Sequence, residues 1–230
     1  MEGIIFVLHG RRNKLAKANL NLIETLGQQL EQPTCIGLLE GTELTIEDAI
    51  DTLLSQQVTK LTFVPVLLFP ATHAKKDLPE RAAKHLQAKV PYRILKTLGT
   101  TKAVEDFLVQ QAARSTKATL LLLAHGTPHD EDTYQQLAEI ATKITARTGK
   151  TILPSQYIGS HSYQTILKTQ APCGILQLFL TEGKITNKIH QEIIEVRGKV
   201  DEFYPTLEDT PALAQAIMER LESGDVSDTY

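Results

Sequence analysis

The chain has 230 residues, with 24 Lys and Arg against 27 Asp and Glu and a net charge of −3, so no basic field is available for a nucleic-acid partner. With 42% apolar and 22% charged residues the composition is that of an ordinary soluble globular protein. Cys35 and Cys173 stand far apart and outside any CxxC pair, which argues against a disulfide framework, a zinc finger or a cysteine-ligated cluster and for a cytoplasmic setting.

The first stretch, MEGIIFVLHG, has no basic leader and too short an apolar run for a signal peptide or a membrane span. It reads as a buried strand, Gly3 to Leu8, running straight into His9 and Gly10, where glycine lets the backbone turn sharply. Arg11, Arg12, Asn13 and Lys14 form a basic patch, and Leu15, Leu22, Ile23, Leu26 and Leu30 then recur at helical spacing. Cys35 to Leu39 is a second strand ending at Glu40 and Gly41. Thr45, with Asp48 three residues on and Ile46, Ala49, Ile50 and Leu53 as an apolar face, predicts a capped helix. Leu61 to Phe69 is a third strand, stopped by Pro70, which has no N–H for a ladder. His73, Lys75, Lys76 and Asp77 follow, and Pro79 opens a helix to about Ala88. Tyr92 to Leu95 is a fourth strand, and Thr100 or Thr101 caps a helix reaching Ala113.

The second half repeats this plan. Leu120 to Ala124 ends at His125-Gly126 as the first strand ends at His9-Gly10, and Leu137, Ile140 and Ile144 carry the helix that follows. Ile175 to Leu180 matches Val64 to Phe69, and Thr206-Leu207 with Thr210, Ala212 and Leu213 echoes Thr97-Leu98 with Thr101, Ala103 and Val104. Strands alternating with helices imply parallel pairing, and the repetition implies internal duplication. The expected fold is α/β: two similar lobes, 1–113 and 114–230, each a parallel-type sheet flanked by helices, packed closely around a cleft, with a fraying tail from Ser223.

The carboxyl ends of parallel strands share one edge, where ligands bind. His9, Glu40 and His73 each follow a strand of the first half, so they can converge there. Two imidazoles and a carboxylate suit a divalent first-row metal such as Fe2+, Co2+ or Ni2+. Glu43 is the alternative to Glu40. Arg11, Arg12, Lys14, Lys75, Lys76 and Arg81 fall near the same edge, either as a solvated face or as partners for a substrate with carboxylate arms. His85 and His190 read as surface helix residues and His129 as a loop residue. A histidine phosphatase is disfavoured because Leu8 precedes His9, and no glycine-rich nucleotide loop follows any strand.

The HG after strand one, the LE after strand two and the segment LFPATHAKKDLPE together resemble the sirohydrochlorin chelatases, class II chelatases that insert a divalent metal into a tetrapyrrole. A two-lobed chain of this length is most similar to the sirohydrochlorin ferrochelatases of sirohaem synthesis, with the cobaltochelatases of cobalamin synthesis as close relatives. The resemblance covers the first 110 or so residues well and the second half more weakly.

It implies a class II chelatase-like fold and a metal and catalytic set of His9, His73 and Glu40, with Arg11, Arg12, Lys75 and Lys76 near the substrate. It also implies Fe2+ or Co2+ as a substrate rather than a permanent cofactor, sirohydrochlorin as the tetrapyrrole, an upstream tetrapyrrole enzyme as a partner, and no nucleic-acid or membrane partner. A non-catalytic metal or tetrapyrrole carrier is the alternative. Leu44 stands where the family has proline, which leaves Glu40 and Glu43 both open. In the second half His125 keeps the first histidine's place, while Lys184 stands for His73. An ammonium has no lone pair for a metal, so one metal site per chain is expected.

Overall fold

The computed structural model describes residues 1–10, 17–70, 73–128, 131–171 and 173–227. Arg11, Arg12, Lys14 and His129 lie outside the described residues. Strand β1 (Glu2–Leu8) is buried from Gly3 onward, as a central strand covered on both faces must be. Around it β2 (Thr34–Leu38), β3 (Lys60–Pro65) and β4 (Tyr92–Ile94) form a parallel sheet in the order β2-β1-β3-β4. A second parallel sheet, β5 (Thr119–Ala124), β6 (Thr151–Gln156), β7 (Gly174–Leu178) and β8 (Glu202–Phe203), has the corresponding order β6-β5-β7-β8. The register matches as well: Leu8 pairs Leu38 in one sheet and Ala124 pairs Gln156 in the other.

Alternate residues of each central strand serve opposite faces. Ile5, Val7, Leu61 and Phe63 pack on Ile46, Ile50 and Leu53 of α2 (Ile46–Ser55) and on Leu78, Ala82 and Leu86 of α3 (Leu78–Leu86). Leu121, Leu123 and Ile175 pack in the same way on Tyr163 and Leu167 of α6 (Tyr163–Thr169) and on Ile189 and Ile193 of α7 (Lys184–Arg197). Helix α2 begins with the capping box read from sequence: Asp48 N donates to Thr45 Oγ1 at 3.1 Å and Thr45 N to Asp48 Oδ2 at 2.9 Å. On the other face of the first sheet, α1 (Lys17–Gln29) brings Gly27 against Phe6 and Thr34.

The chain divides into two compact units, Met1–Thr101 with Ala214–Tyr230, and Lys102–Leu213. This differs from the division at residue 113 that the repeat predicts. Helix α4 (Lys102–Arg114) lies against α5 (Glu131–Thr148) and β7 of the second unit. In exchange, α8 (Pro211–Ser223) supplies residues from Ala214 onward to the first unit. Its Arg220 donates to Thr97 O at 2.9 Å and to Thr100 Oγ1 at 2.5 Å.

The tail also differs from expectation. Rather than fraying, its described residues Asp225 to Ser227 run antiparallel beside β4: Val226 bridges Leu95, Lys96 N donates to Asp225 O and Ser227 N to Ile94 O. Strand β3 ends at Pro65, not Phe69. Val66 N still donates to Val7 O, but the Leu67 and Leu68 carbonyls turn to the N–H groups of Leu98 and Gly99 in the 3₁₀ turn Leu98–Thr100. The apolar run Val66 to Phe69 is buried at Val66 and Leu68, so its hydrophobicity records burial rather than ladder pairing.

In the second unit Glu202 gathers donors from the α4–β5 connection: Ser115 Oγ at 2.6 Å and the Thr116 hydroxyl, with Tyr204 Oη at 2.8 Å. The Ser115 and Thr116 hydrogen bonds are the largest cause of a carboxyl pKa held at about 2. A carboxylate depressed in the folded state adds stability above its unfolded pKa of about 4.3 and loses it as pH falls toward the folded value. Glu202→Gln is therefore expected to be less stable than wild type at pH 7, and the gap between their melting temperatures should narrow between about pH 4.3 and 2. A gap that stays constant across that range would contradict the assignment.

Candidate functional site

Beyond its last residue, β1 stays zipped to the β2–α2 loop. Leu39 N donates to Leu8 O and Glu40 N to His9 O, both at 2.9 Å. These two bonds set His9 and Glu40 side by side at the carboxyl edge of the sheet, with His9 Nδ1 3.8 Å from Glu40 Oε2 and both side chains a little over 40% exposed. His9 Nδ1 also lies 2.8 Å from Gly10 O. A carbonyl only accepts, so Nδ1 is the donor of this bond, which leaves Nε2 as the nitrogen that carries the lone pair in the neutral ring. Of the two acidic candidates, Glu40 is the one beside His9, whereas Glu43 is exposed further along the loop. Leu44, where the resemblance calls for proline, has φ 52°, a conformation the proline ring cannot adopt.

Gly10 makes the zip possible. Its φ is 69°, and a Cβ there would lie 2.3 Å from Glu40 O. Gly10→Ala is expected to push the Glu40 peptide away from His9 and to lower the proposed activity by on the order of 10-fold, because misplaced groups lose near-attack geometry steeply. Steady-state rates on folded protein check this, and a wild-type rate would count against the zip.

The third candidate, His73, begins a π-helical turn, His73–Asp77, that runs directly into α3. The structure describes His73 by its backbone alone. Such turns hold one residue more than an α-turn and recur at functional sites; neither periodicity nor residue type announced this one. Lys75 of the turn is half-buried and Lys76 exposed. Arg81, grouped with the basic edge in the sequence, is instead committed within the protein. Its Nε donates to Glu47 Oε1 at 2.8 Å, its Nη2 bonds the other carboxylate oxygen, and its Nη1 donates to Leu39 O at 2.7 Å. That hydrogen bonding is the first cause of a lowered Glu47 pKa and a raised Arg81 pKa. Sequence reasoning missed this role because the partners lie 34 and 42 positions away.

The second lobe rebuilds the same edge with other residues. Tyr157 N donates to Ala124 O and Ile158 N to His125 O, His125 Nδ1 meets Gly126 O at 2.9 Å, and Gly126 has φ 73°. His125 thus repeats His9, while apolar Ile158 occupies the place of Glu40. Lys184, matched to His73 in sequence, is the exposed first residue of α7. His85 and His190, both read as surface residues, have partners: His85 Nε2 meets Asp51 Oδ1 at 2.8 Å, and half-buried His190 meets Gln177 Oε1 at 2.9 Å and packs on Phe203. Burial lowers the His190 pKa.

These features define a duplicated parallel α/β protein with a histidine–carboxylate pair at the strand ends of one lobe. The same architecture is found in SirB from Bacillus subtilis with Fe3+, at a TM-score of 0.86 and 21% identity, covering 96% of this chain and 94% of that one. The CbiX family model matches residues 3–115, the part that contains His9, Glu40 and His73. The first half of the chain thus matches the CbiX family, and the two-lobed whole is similar to the sirohydrochlorin chelatases. Among its relatives, the sirohydrochlorin ferrochelatase of Priestia megaterium is 23% identical over 218 residues, 88% of this chain and 82% of that protein. A sirohydrochlorin cobaltochelatase of Saccharolobus islandicus is 26% identical over 120 residues, 48% of this chain and 93% of that protein. Among the described residues, no helix is long and apolar enough to cross a membrane.

Proposed function

We propose that this protein is a metal chelatase that inserts Fe2+ into sirohydrochlorin to give sirohaem and two protons. The observation that carries the reading is the backbone zip that seats His9 beside Glu40 at the carboxyl edge of the first sheet, with the His73 turn following β3 in the chain, inside the stretch matched by the family model. The ferrochelatase relative that spans both lobes favours iron. Co2+ is the second candidate, because cobaltochelatase relatives match 48% of the chain and the two ions share ligand preferences.

In the reaction two pyrrole N–H bonds break and four metal–nitrogen bonds form. His9 Nε2, Glu40 and His73 receive the metal as it sheds water. An uncharged imidazole holds it without gripping it as a thiolate would, so it can be passed on. Once the metal has passed on, the freed imidazole nitrogens can also take up the departing protons. Arg11, Arg12, Lys75 and Lys76 supply positive charge for the carboxylate arms of the macrocycle.

The test is anaerobic absorbance of sirohydrochlorin with Fe2+ or Co2+ and catalytic amounts of protein. Conversion over many turnovers, faster than the protein-free control, is the expected result. Binding that saturates at one equivalent and stops would replace the enzyme with a carrier.

A further inference from the structure

We infer that Arg81 is a positioning residue for metal insertion, holding Glu40 against His9 while tying both to the helix that His73 opens. The inference rests on the chelatase reading above. The peptide joining Leu39 to Glu40 is held at both ends: its N–H donates to His9 O at 2.9 Å, and its carbonyl accepts from Arg81 Nη1 at 2.7 Å. The remaining guanidinium edge grips the carboxylate of Glu47, in the first turn of the capped helix that the Glu40 loop enters. Arg81 itself lies in α3, which continues without a break from the π-helical turn His73–Asp77. One planar cation therefore joins the loop carrying Glu40, the first turn of α2 and the helix entered by His73. A guanidinium has enough fixed donors for three such bonds, whereas an ammonium acts as a point charge.

The second lobe separates this role from simple fold maintenance. By the matched burial of Leu78 with Ile189 and of Ala82 with Ile193, position 81 corresponds to Glu192. Glu192 still ties α7 to α6, accepting from the Tyr163 hydroxyl and from Gln164 Nε2 at 3.1 Å. The helix–helix tether is thus kept in both lobes with its polarity reversed. A carboxylate cannot donate to the carbonyl that would correspond to Leu39 O. The donor to the loop peptide occurs in the lobe that has Glu40 and His73, and is replaced in the lobe that has Ile158 and Lys184.

The experiment compares wild type with Arg81→Met, which loses every bond, and with Arg81→Glu/Glu47→Gln, which imports the second lobe's tether but no donor to Leu39. Melting temperature, kcat and KM for sirohydrochlorin, and Co2+ affinity without tetrapyrrole are measured on each. Arg81→Met is expected to lower kcat and Co2+ affinity by about 10-fold or more, the usual loss when a group supporting a metal ligand is removed, with KM changed less than about twofold. The double variant should regain melting temperature but not kcat. Recovery of kcat together with stability would reduce Arg81 to a structural tether and overturn the inference. A raised KM with kcat unchanged would overturn it too, placing Arg81 on the substrate carboxylates. Wild type that neither turns over nor binds Co2+ would instead overturn the chelatase reading itself.

Discussion

His9→Ala is expected to reduce metal insertion into sirohydrochlorin by on the order of 10²-fold or more, the scale associated with losing a positioned acid–base group, while leaving the fold intact. The side chain is over 40% exposed and contributes little packing. The backbone bonds from His9 O to Glu40 N and from Leu8 O to Leu39 N do not need the imidazole. His73→Ala should act in the same direction. The informative control is His125→Ala, which removes an imidazole held by the same hydrogen bond to the following glycine carbonyl. Ile158 stands beside it in place of a carboxylate, so this variant is expected to keep most of the wild-type rate. Anaerobic initial rates for the three variants, with circular dichroism to confirm folding, decide the matter. Equal losses in His9→Ala and His125→Ala would mean that the two lobes contribute alike, and the single-site proposal would fail.

The pairing of His9 with Glu40 was legible because it depends on local signals. An apolar run ending at His-Gly and another ending at Glu-Gly place both residues at strand ends, and parallel strands share their carboxyl edge. The Thr45 cap was legible for a similar reason, since its hydrogen-bonding groups lie three residues apart. The π-helical turn at His73 was not, because one extra residue in a turn changes no pattern that residue types record. The commitment of Arg81 was hidden as well: an arginine on a helix face looks solvated until Glu47 and Leu39 O, far back in sequence, are known to face it.

The exchange of α4 and α8 between the units was illegible for a different reason. Duplication gave both lobes similar sheets, and both helices carry one apolar face. Hydrophobic pattern says that such a face is buried and not against which sheet. What specifies the partner is polar. Gln111 of α4 donates to Pro205 O in the second unit, and Arg220 of α8 reaches Thr97 and Thr100 in the first.

Arg220→Ala is therefore expected to be among the most destabilising substitutions in the first unit, by on the order of 3 kcal/mol, or about 6–12 °C in melting temperature for a chain of this size. The Arg220 side chain is only 7% exposed, and its guanidinium bonds Thr97 O, Thr100 Oγ1 and Asp225 Oδ2, the last at 3.0 Å. Burial lowers its pKa, with the Asp225 charge opposing that shift. Removing the guanidinium leaves the Thr97 carbonyl without that donor and opens a cavity. It also frees Asp225, whose backbone carbonyl accepts from Lys96 N and so fixes the tail along β4.

The loss should spread along a defined route. The 3₁₀ turn that Arg220 grips donates from Leu98 and Gly99 to the carbonyls of Leu67 and Leu68, on the stretch that leads to His73. Hydrogen exchange should accordingly quicken first at the amides of Lys96, Leu98 and Gly99, and those of α7 in the second unit should stay protected. Arg220→Lys keeps the charge but not the fork, and should recover less than half of the loss. An Arg220→Ala protein that melts within a degree of wild type, with unchanged exchange at Leu98 and Gly99, would mean that apolar contacts alone, made by residues such as Ala216 and Ile217, hold α8 on the first unit.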